Sequence, residues 1–478
     1  MNLMDLFIGQ VNRVPDRLAI VSESGSVTFA ELEQRSNDLA LGFQRSGLKT
    51  GDYVLVLQPF GIPLYVTLLA LFRMGAVAVF PDAAARASAI SDCCDALPIR
   101  GFSGGWKAQL LRTLFPKLRA IPLNLSFCAK PSAGQRVVED LPENHPALVT
   151  FTSGSTGRPK AIVRSHRFLL AQHRMIVDML GTREDDISLV TLPVFILSYL
   201  ASGVTSVIPA GNIRKPSQVD PHPLWRQLDD HNINTILMPP ALCQRLVRTT
   251  GVWPHVRNIF TGGGPVFPDL LKDLSRRAPH AAITSVYGST EAEPIAHIAL
   301  SDISPQDLEQ MKAGAGLLVG KPVSGIKIKI IDDEICVTGD HVVKGYLNAS
   351  DNSSTKIIIA GDVWHKTGDA GCFDAQGRLW LLGRLEARHA DHYPFCIETA
   401  ARLITNGRTT AFLHHKGRNI LVVETGIDSR QTDILRTKFP DCDIIEVGKI
   451  PLDRRHNSKI DYGRLRILLD QCNKRRKL

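Results

Sequence analysis

Side chains that could bind phosphate are concentrated in residues 151–160, FTSGSTGRPK. Glycine lets the backbone come close to a ligand, hydroxyl and backbone N–H groups can contact phosphate oxygens, and lysine adds a positive charge. A run of this composition is also typical of a flexible surface loop, so both interpretations stay open at this point. The order Gly157-Arg158-Pro159-Lys160 does not fit a Walker A loop, which argues against a P-loop NTPase site. The residues concerned are Thr152, Ser153, Gly154, Ser155, Thr156, Gly157 and Lys160.

Three predicted strands lead into loops of this kind. The apolar run at residues 147–149 predicts a buried strand before the first loop. Residues 259–260 predict a strand that runs into a glycine loop at 261–265, and residues 283–286 predict one that runs into 287–291. In open parallel sheets, ligands bind beyond the carboxyl ends of the strands. The three loops could therefore converge on one ligand.

The order of elements predicts an α/β protein. Strands at 18–21, 53–57 and 76–80 alternate with a helix from the capping box Thr28-Phe29-Ala30-Glu31 to about Ser46 and a helix at 64–74. A helix at 168–180 and strands at 187–192, 203–209 and 234–238 continue the pattern, which is typical of a parallel sheet covered by helices.

A different pattern begins near residue 320. Short alternating segments predict antiparallel strands at 326–331, 334–337, 342–343 and 378–382. Beyond Arg384 the pattern is α+β, with strands at 410–413, 419–423 and 444–445. We therefore expect a large N-terminal domain at 1–384, with a β-rich subdomain at about 320–384, and a small C-terminal domain at 385–478.

Composition indicates a reduced, cytoplasmic protein. The 478 residues begin without a basic signal-peptide region, and the apolar segment at 62–80 predicts a buried helix and strand and no transmembrane segment. The nine cysteines include no CxxC pair, which argues against a disulfide framework and a zinc site. Although the net charge is +9, aromatic residues make up only 6% of the chain, so we expect no nucleic-acid partner.

Six motifs occur together in order: TSGSTGRPK at 152–160, GGGP at 262–265, YGSTE at 287–291, WHKTGD at 364–369, GR at 383–384 and RHNSKID at 455–461. This set resembles the adenylate-forming superfamily of acyl-CoA synthetases, nonribosomal-peptide adenylation domains and firefly luciferase. The resemblance covers nearly the whole chain. It implies a large domain of stacked, mostly parallel sheets with a β-rich subdomain, followed by a small mobile α+β domain.

The resemblance also implies roles for single residues, which taken alone would be ordinary surface or core residues. The 152–160 loop would hold the β,γ-phosphates of ATP, and Gly262, Gly263 and Gly264 would give adenine a flat backbone surface. In the YGSTE motif, the implied ligand-contacting residues are Tyr287 near adenine, Gly288 and Ser289 beside the nucleotide, Thr290 at the α-phosphate and Glu291 on Mg²⁺. Asp369 would accept hydrogen bonds from the ribose hydroxyls with Arg384 close by, and Lys459 would be the catalytic lysine of the C-terminal domain. The catalytic set implied in this way is Lys459, Glu291 and Thr290, with ATP and Mg²⁺ as cofactors.

Two departures from the family pattern bear on the step after adenylation. The segment after Arg384 lacks the usual hinge glycine and is shorter up to Pro394 than the family pattern. Because the hinge loop helps to form the pantetheine tunnel in acyl-CoA synthetases, a thioester reaction with coenzyme A or a carrier-protein pantetheine is in doubt. Ser458 stands where the family usually has glycine, and residues 455–460 look more like the β-lactone synthetases of the bacterial olefin pathway.

We expect the substrate to be a small-molecule carboxylic acid, fatty or β-hydroxy, bound near Phe195 and Tyr199. Three hypotheses remain for the function. The first is acyl-AMP formation with pyrophosphate release, followed by intramolecular β-lactone closure. The alternative is a ligase that forms a thioester with coenzyme A or an acyl carrier protein. A non-catalytic nucleotide-binding homologue is the third.

Overall fold

The structure is a computed structural model that describes residues 2–81, 87–126, 134–153, 159–213, 215–453 and 458–475. Its first part contains six helices and eight strands. The helices are α1 (Leu3–Arg13), α2 (Phe29–Arg45), α3 (Ile62–Arg73), α4 (Ala87–Ala96), α5 (Trp106–Leu114) and α6 (Pro116–Arg119). The strands are β1 (Leu18–Ser22), β2 (Gly25–Thr28), β3 (Tyr53–Leu57), β4 (Val77–Phe80), β5 (Ile99–Gly104), β6 (Leu123–Asn124), β7 (Pro146–Ser153) and β8 (Pro159–Ser165).

Six of these strands form one sheet in the order β6-β5-β3-β4-β7-β8. All neighbours run parallel except the hairpin β7–β8. The predicted capping box is confirmed, because the Thr28 side chain accepts a hydrogen bond from the Glu31 N–H and Glu31 reaches back to the Thr28 N–H. The apolar segment at 62–80 is the buried helix α3 followed by β4, as predicted. Among the described helices, none has the length and apolar character needed to cross a membrane.

The next part of the chain builds the parallel half of a second sheet. Its helices are α7 (His166–Leu180), α8 (Pro193–Ser202), α9 (Pro221–Asp230), α10 (Pro240–Leu246) and α11 (Pro268–Arg277). Its strands are β9 (Ile187–Val190), β10 (Thr205–Val207), β11 (Thr235–Met238), β12 (Asn258–Gly262), β13 (Ala282–Ser289) and β14 (Ala292–Ala299). The order β1-β10-β9-β11-β12-β13 is parallel throughout, which confirms the predicted α/β architecture.

The antiparallel region extends the same sheet. After α12 (Pro305–Ala313), the strands are β15 (Leu317–Pro322), β16 (Lys327–Ile331), β17 (Glu334–Thr338), β18 (Lys356–Ile359), β19 (Asp362–Phe373) and β20 (Leu379–Arg384). The order continues β13-β14-β15-β20-β19-β17-β16, with β18 paired to β19.

Two sequence predictions in this sheet were wrong. Val342-Val343 is not a strand: Val342 makes one isolated bridge to Ala292, and the Val343 N–H donates to the backbone oxygen of Glu291. Strand β13 continues to Ser289 instead of ending at Val286, because it forms a hairpin with β14 in which Ser289 pairs with Ala292. Both differences arise from long-range pairing that alternation along the chain does not report.

The residues after Arg384 form a smaller α+β unit. Helices α13 (Pro394–Ile404), α14 (Ser429–Lys438) and α15 (Tyr462–Arg475) surround a sheet of β21 (Thr410–His415), β22 (Arg418–Glu424) and β23 (Cys442–Val447). The unit has apolar clusters of its own on both sides of the sheet. The exact domain boundary at 384/385 stays a prediction.

Polar and aromatic contacts hold this unit against the rest of the chain. The Arg402 guanidinium forms two 2.8 Å hydrogen bonds to the carboxylate of Asp269 at the start of α11. The rings of Phe267 and Phe395 meet edge to face with their centroids 6.3 Å apart. In the altered hinge segment, Arg388 pairs with Asp333 at 3.1 Å. These contacts fix where the C-terminal unit lies relative to the large sheet.

Candidate active site

The predicted phosphate loop lies at the turn of the β7–β8 hairpin. β7 ends at Ser153 and β8 begins at Pro159, with Thr152 paired to Lys160. The expectation that this loop follows a strand is therefore confirmed. Gly154, Ser155, Thr156 and Gly157 lie outside the described residues, as do the side chains of Thr152 and Ser153. Their contacts with phosphate stay a prediction.

Lys160 belongs to a cluster centred on Tyr346. Lys160 is only 7% exposed, and its Nζ lies 5.3 Å from the centroid of the Tyr346 ring. Lys356 Nζ lies 5.2 Å from the same centroid. The Tyr346 hydroxyl donates a 2.8 Å hydrogen bond to Oε1 of Glu291. One aromatic ring thus joins two cations and a carboxylate, and we call these four residues the Tyr346 cluster.

The electrostatics of the Tyr346 cluster favour an anionic ligand. Lys356 donates a 2.5 Å hydrogen bond to the Val343 carbonyl and lies 3.1 Å from Nδ1 of His365. Burial lowers the pKa of Lys356 to about 8, although the Glu291 charge acts in the opposite direction. Burial, with the neighbouring Lys356 charge, also lowers the pKa of His365 to about 4, so this imidazole is neutral near pH 7. Two lysines facing one carboxylate leave positive charge that phosphate oxygens can neutralise.

Arg164 connects the phosphate hairpin to the YGSTE segment. Its Nη2 donates a 2.6 Å hydrogen bond to the Thr290 carbonyl, and its Nη1 donates to the hydroxyl of Thr150 on β7. Burial lowers the pKa of Arg164, while the charges of Glu291 and Glu293 raise it. Because the guanidinium spans both segments, it fixes the backbone that carries Thr290 and Glu291 beside the strands that carry Lys160.

Two glycines of the predicted adenine surface, Gly262 and Gly264, leave no room for a side chain, and the third has a conformation that favours glycine. A Cβ at Gly262 would lie 2.5 Å from the Val286 carbonyl on the neighbouring strand, and a Cβ at Gly288 would lie 3.0 Å from the Ala292 carbonyl. Gly263 has φ +82°, a left-handed conformation that favours glycine. A Cβ at Gly264 would collide with Oγ of Ser458 in the C-terminal unit. The glycines therefore leave bare backbone where the two units meet.

A second polar group lies at the junction of β13, β19 and β20. The Tyr287 hydroxyl donates a 2.8 Å hydrogen bond to Oδ2 of Asp369, and Nη1 of Arg384 lies 3.0 Å from Oδ1. Asp369 and Arg384 face each other across β19 and β20. Burial and the Asp369 charge raise the pKa of Tyr287 well above its ordinary value, so the phenol remains a donor. The structure thus brings the three residues together, while their contacts with adenine and ribose stay predictions.

Lys459 lies in a tight turn that faces the glycine loop. Its N–H donates to Oδ1 of Asp453 at 3.0 Å, and its carbonyl accepts from the Asp453 N–H at 2.8 Å. Its side chain is exposed, whereas the adjacent Ser458 reaches Gly264. The backbone at Lys459 is therefore fixed next to Gly264, and the catalytic role of Lys459 stays a prediction.

The predicted acyl-chain residues lie on α8, a helix that the sequence analysis did not identify. Phe195 and Tyr199 are 3% and 1% exposed and belong to the large apolar core. The Tyr199 hydroxyl oxygen accepts a 3.3 Å hydrogen bond from Oγ of Ser188. Leu197 and Ser198, from the same helix, line a small cavity with residues of α1 and α7. In this conformation Phe195 and Tyr199 are therefore packed core, and a role beside the substrate stays a prediction.

Arg164, Tyr346, Lys356 and His365 are site residues that the sequence analysis missed. No regular spacing relates them to Lys160 or Glu291, since they come from β8, the 342–346 segment, β18 and β19. The β7–β8 hairpin positions Arg164, and the pairing of β18 with β19 brings Lys356 to His365. Backbone hydrogen bonds from Val343 to Glu291 and from Leu347 to Ala161 place the segment that carries Tyr346 beside the YGSTE segment and β8.

The described residues fit ATP and a hard divalent cation. Oε2 of Glu291 has no hydrogen-bond partner among the described residues, so one carboxylate oxygen remains for a metal. The buried hydroxyls of Ser289 and Ser458 have no protein partner in the described part of the chain either. Both flank the bare glycine surface, where a ligand could satisfy them.

Comparison with known proteins agrees with this geometry. The family described as AMP-binding enzyme matches residues 7–347. Over 475 residues the chain is 29% identical to an olefin β-lactone synthetase of Xanthomonas campestris, covering 88% of this chain and 84% of that protein. A 4-coumarate–CoA ligase of rice is 25% identical over 76% of this chain and 71% of that protein.

Solved structures show the same fold. The amide bond synthetase McbA of Marinactinospora thermotolerans superposes with a TM-score of 0.80 at 19% identity, covering 98% of this chain and 99% of that one. ATP-bound MatB of Rhodopseudomonas palustris gives a TM-score of 0.79 at 20% identity, covering 98% and 99%. The fold, the ordered motifs and the match over residues 7–347 show that the chain belongs to the AMP-binding enzyme family, whose members are AMP-forming ligases.

Proposed function

We propose that this enzyme uses ATP to convert a β-hydroxy carboxylic acid into an acyl-AMP and then into a β-lactone. The observation that carries the proposal is the Tyr346 cluster, which joins Lys160 of the β7–β8 hairpin to Glu291 of the YGSTE segment. The same segment carries Tyr287, which donates to Asp369. In the first step a carboxylate oxygen attacks the α-phosphorus and the bond to the β-phosphate breaks. Pyrophosphate leaves, and the acyl group is joined to AMP.

In this proposal, side chains of the hairpin and the YGSTE segment stabilise the charge of this step. Lys160 and the 152–157 loop bind the β,γ-phosphates in the proposal, and Thr290 contacts the α-phosphate. Glu291 would hold Mg²⁺, which supplies charge stabilisation for the departing pyrophosphate. Lys459, carried by the turn against Gly264, adds a positive charge near the α-phosphate. Asp369 and Arg384 would hold the ribose.

Ring closure needs no second substrate. The β-hydroxyl oxygen attacks the acyl carbon, the bond to AMP breaks, and the hydroxyl proton is lost to solvent. Three observations favour this outcome: the similarity to two olefin β-lactone synthetases, the altered hinge segment, and its anchoring to the large domain. The hydroxyl of Tyr393 adds a 2.6 Å hydrogen bond to Asp333 beside Arg388. A hinge fixed in this way suits a reaction that does not require the C-terminal unit to turn toward a pantetheine.

Thioester formation is the second candidate, since CoA ligases are also among the relatives. Pyrophosphate release across a panel of fatty, β-hydroxy and amino acids identifies the acid class. Mass spectrometry with and without coenzyme A then identifies the product. A lactone formed without thiol supports the proposal, and a coenzyme A thioester contradicts it. If no acid gave pyrophosphate release and Lys459→Ala changed nothing, the chain would instead be a non-catalytic nucleotide-binding homologue.

A further inference from the structure

Helix α5 exposes a line of large apolar side chains. Trp106 is 72% exposed, Leu110 59% and Leu114 67%, and each is four residues from the next. Residues four apart lie on the same side of a helix, so the three form one stripe, which we call the α5 stripe. Ala108, on the opposite side, is buried against the sheet. Single exposed apolar residues are ordinary, but an aligned set on one helix indicates an interaction surface.

The segment that carries the α5 stripe is positively charged. No aspartate or glutamate occurs in residues 96–138. The cations in that segment are Arg100, Lys107, Arg112, Lys117, Arg119, Lys130 and Arg136. Lys107 and Arg119 are exposed on and after α5, whereas the exposed Lys117 pairs with Asp95. Lys107 Nζ lies 5.2 Å from the centroid of the Trp106 ring. The stripe is therefore flanked by cations at both ends.

We infer that the α5 stripe binds an anionic lipid surface. A tryptophan, leucines and basic residues on one short helix are the side chains that enter the boundary between lipid headgroups and acyl chains. A nine-residue helix is about 13.5 Å long, and three side chains cover less than the roughly 800 Å² that each partner of a stable protein interface buries. A second copy of this face would oppose it with like charges. The inference does not depend on the proposed reaction.

The test is flotation of the full-length protein with vesicles of phosphatidylcholine alone or mixed with phosphatidylglycerol. We expect binding to the mixed vesicles only. Leu110→Ser combined with Leu114→Ser should lower the bound fraction on the order of tenfold, because two exposed apolar side chains are lost. Ile467→Ser on α15 is the matched control, since Ile467 is 60% exposed and lies outside the stripe; it should bind like the wild type.

A second variant tests the charge independently. Lys107→Glu combined with Arg119→Glu keeps the stripe but should also weaken binding several-fold, as should a salt concentration of about 0.5 M. Trp106 emission should shift to the blue on binding, and the shift should be lost in Trp106→Phe. Equal thermal unfolding midpoints would show that the variants are folded. Vesicle binding that survives loss of the stripe, no binding at all, or a dimer that the leucine variant dissociates would each overturn the inference.

Discussion

Replacing Tyr346 by phenylalanine removes one hydroxyl from the Tyr346 cluster and leaves the ring in place. The hydroxyl donates a 2.8 Å hydrogen bond to Glu291, whereas Lys160 and Lys356 contact the ring at 5.3 and 5.2 Å. A hydrogen bond to a charged group contributes about 1.5–3 kcal/mol, and loss of a residue that orients a metal-binding carboxylate costs about 10- to 100-fold in metal affinity. We therefore expect the Mg²⁺ concentration for half-maximal pyrophosphate release to rise about 10- to 100-fold.

Two measurements and one control separate this effect from a general loss of structure. Mg²⁺ is titrated in the pyrophosphate assay, and ATP binding is measured by calorimetry with and without Mg²⁺. Tyr393→Phe is the matched control, because it removes a tyrosine hydroxyl from a carboxylate, Asp333, that lies outside the Tyr346 cluster. The Mg²⁺-dependent part of ATP binding should weaken in Tyr346→Phe and stay at the wild-type value in Tyr393→Phe.

An unchanged Mg²⁺ dependence in Tyr346→Phe would refute the reasoning, since it would mean that Tyr346 does not position Glu291 for a metal. An equal loss of ATP affinity with and without Mg²⁺ would also contradict it, because the hydroxyl would then act on the nucleotide or on the fold.

Three further results are expected. Lys459→Ala should slow adenylation about 10²- to 10³-fold, measured by single-turnover pyrophosphate release, and a normal rate would contradict its role. The melting temperature, measured by calorimetry, should stay unchanged because the Lys459 side chain is exposed. Gly264→Ala should slow adenylation because its Cβ collides with Ser458, and adding Ser458→Gly should restore part of the rate; no rescue would refute the contact. Burial raises the pKa of Glu398 to about 8, so the folded state keeps a proton that the unfolded state releases near pH 4.5. The contribution of Glu398 to stability should therefore be lost as pH rises from about 5 to 8, and the free energy of unfolding should fall less steeply with pH in Glu398→Gln than in the wild type; identical pH profiles would contradict this.

Local patterns were sufficient to predict most of the sheet. The alternation at residues 326–331 and 334–337 appears as β16 and β17, and the capping box at Thr28 begins α2. These features depend on neighbouring residues, which a sequence displays directly. Helix α8 was missed because its residues are apolar on nearly every side, so no amphipathic period marked it.

Only part of the candidate site could be predicted from the sequence. Gly262 was identified through the family resemblance, as part of an adenine surface, and its close approach to the Val286 carbonyl became visible only in the structure. The contacts of Tyr287 with Asp369 and of Tyr346 with Glu291 could not be predicted. The first joins residues 82 positions apart in the sequence and the second joins residues 55 positions apart. Tyr287 and Asp369 lie on β13 and β19, which are not neighbours in the large sheet, and Glu291 and Tyr346 lie outside its strands. A single sequence carries no direct signal for such long-range contacts.

The central claim is that acyl-AMP formation is followed by closure of a β-lactone. Its most direct test is mass spectrometry of the product formed from a β-hydroxy acid, ATP and Mg²⁺ in the absence of any thiol. The account predicts a product lighter than the acid by one water, formed together with AMP and pyrophosphate. A coenzyme A thioester that appears only when thiol is added, with no lactone in its absence, would contradict it.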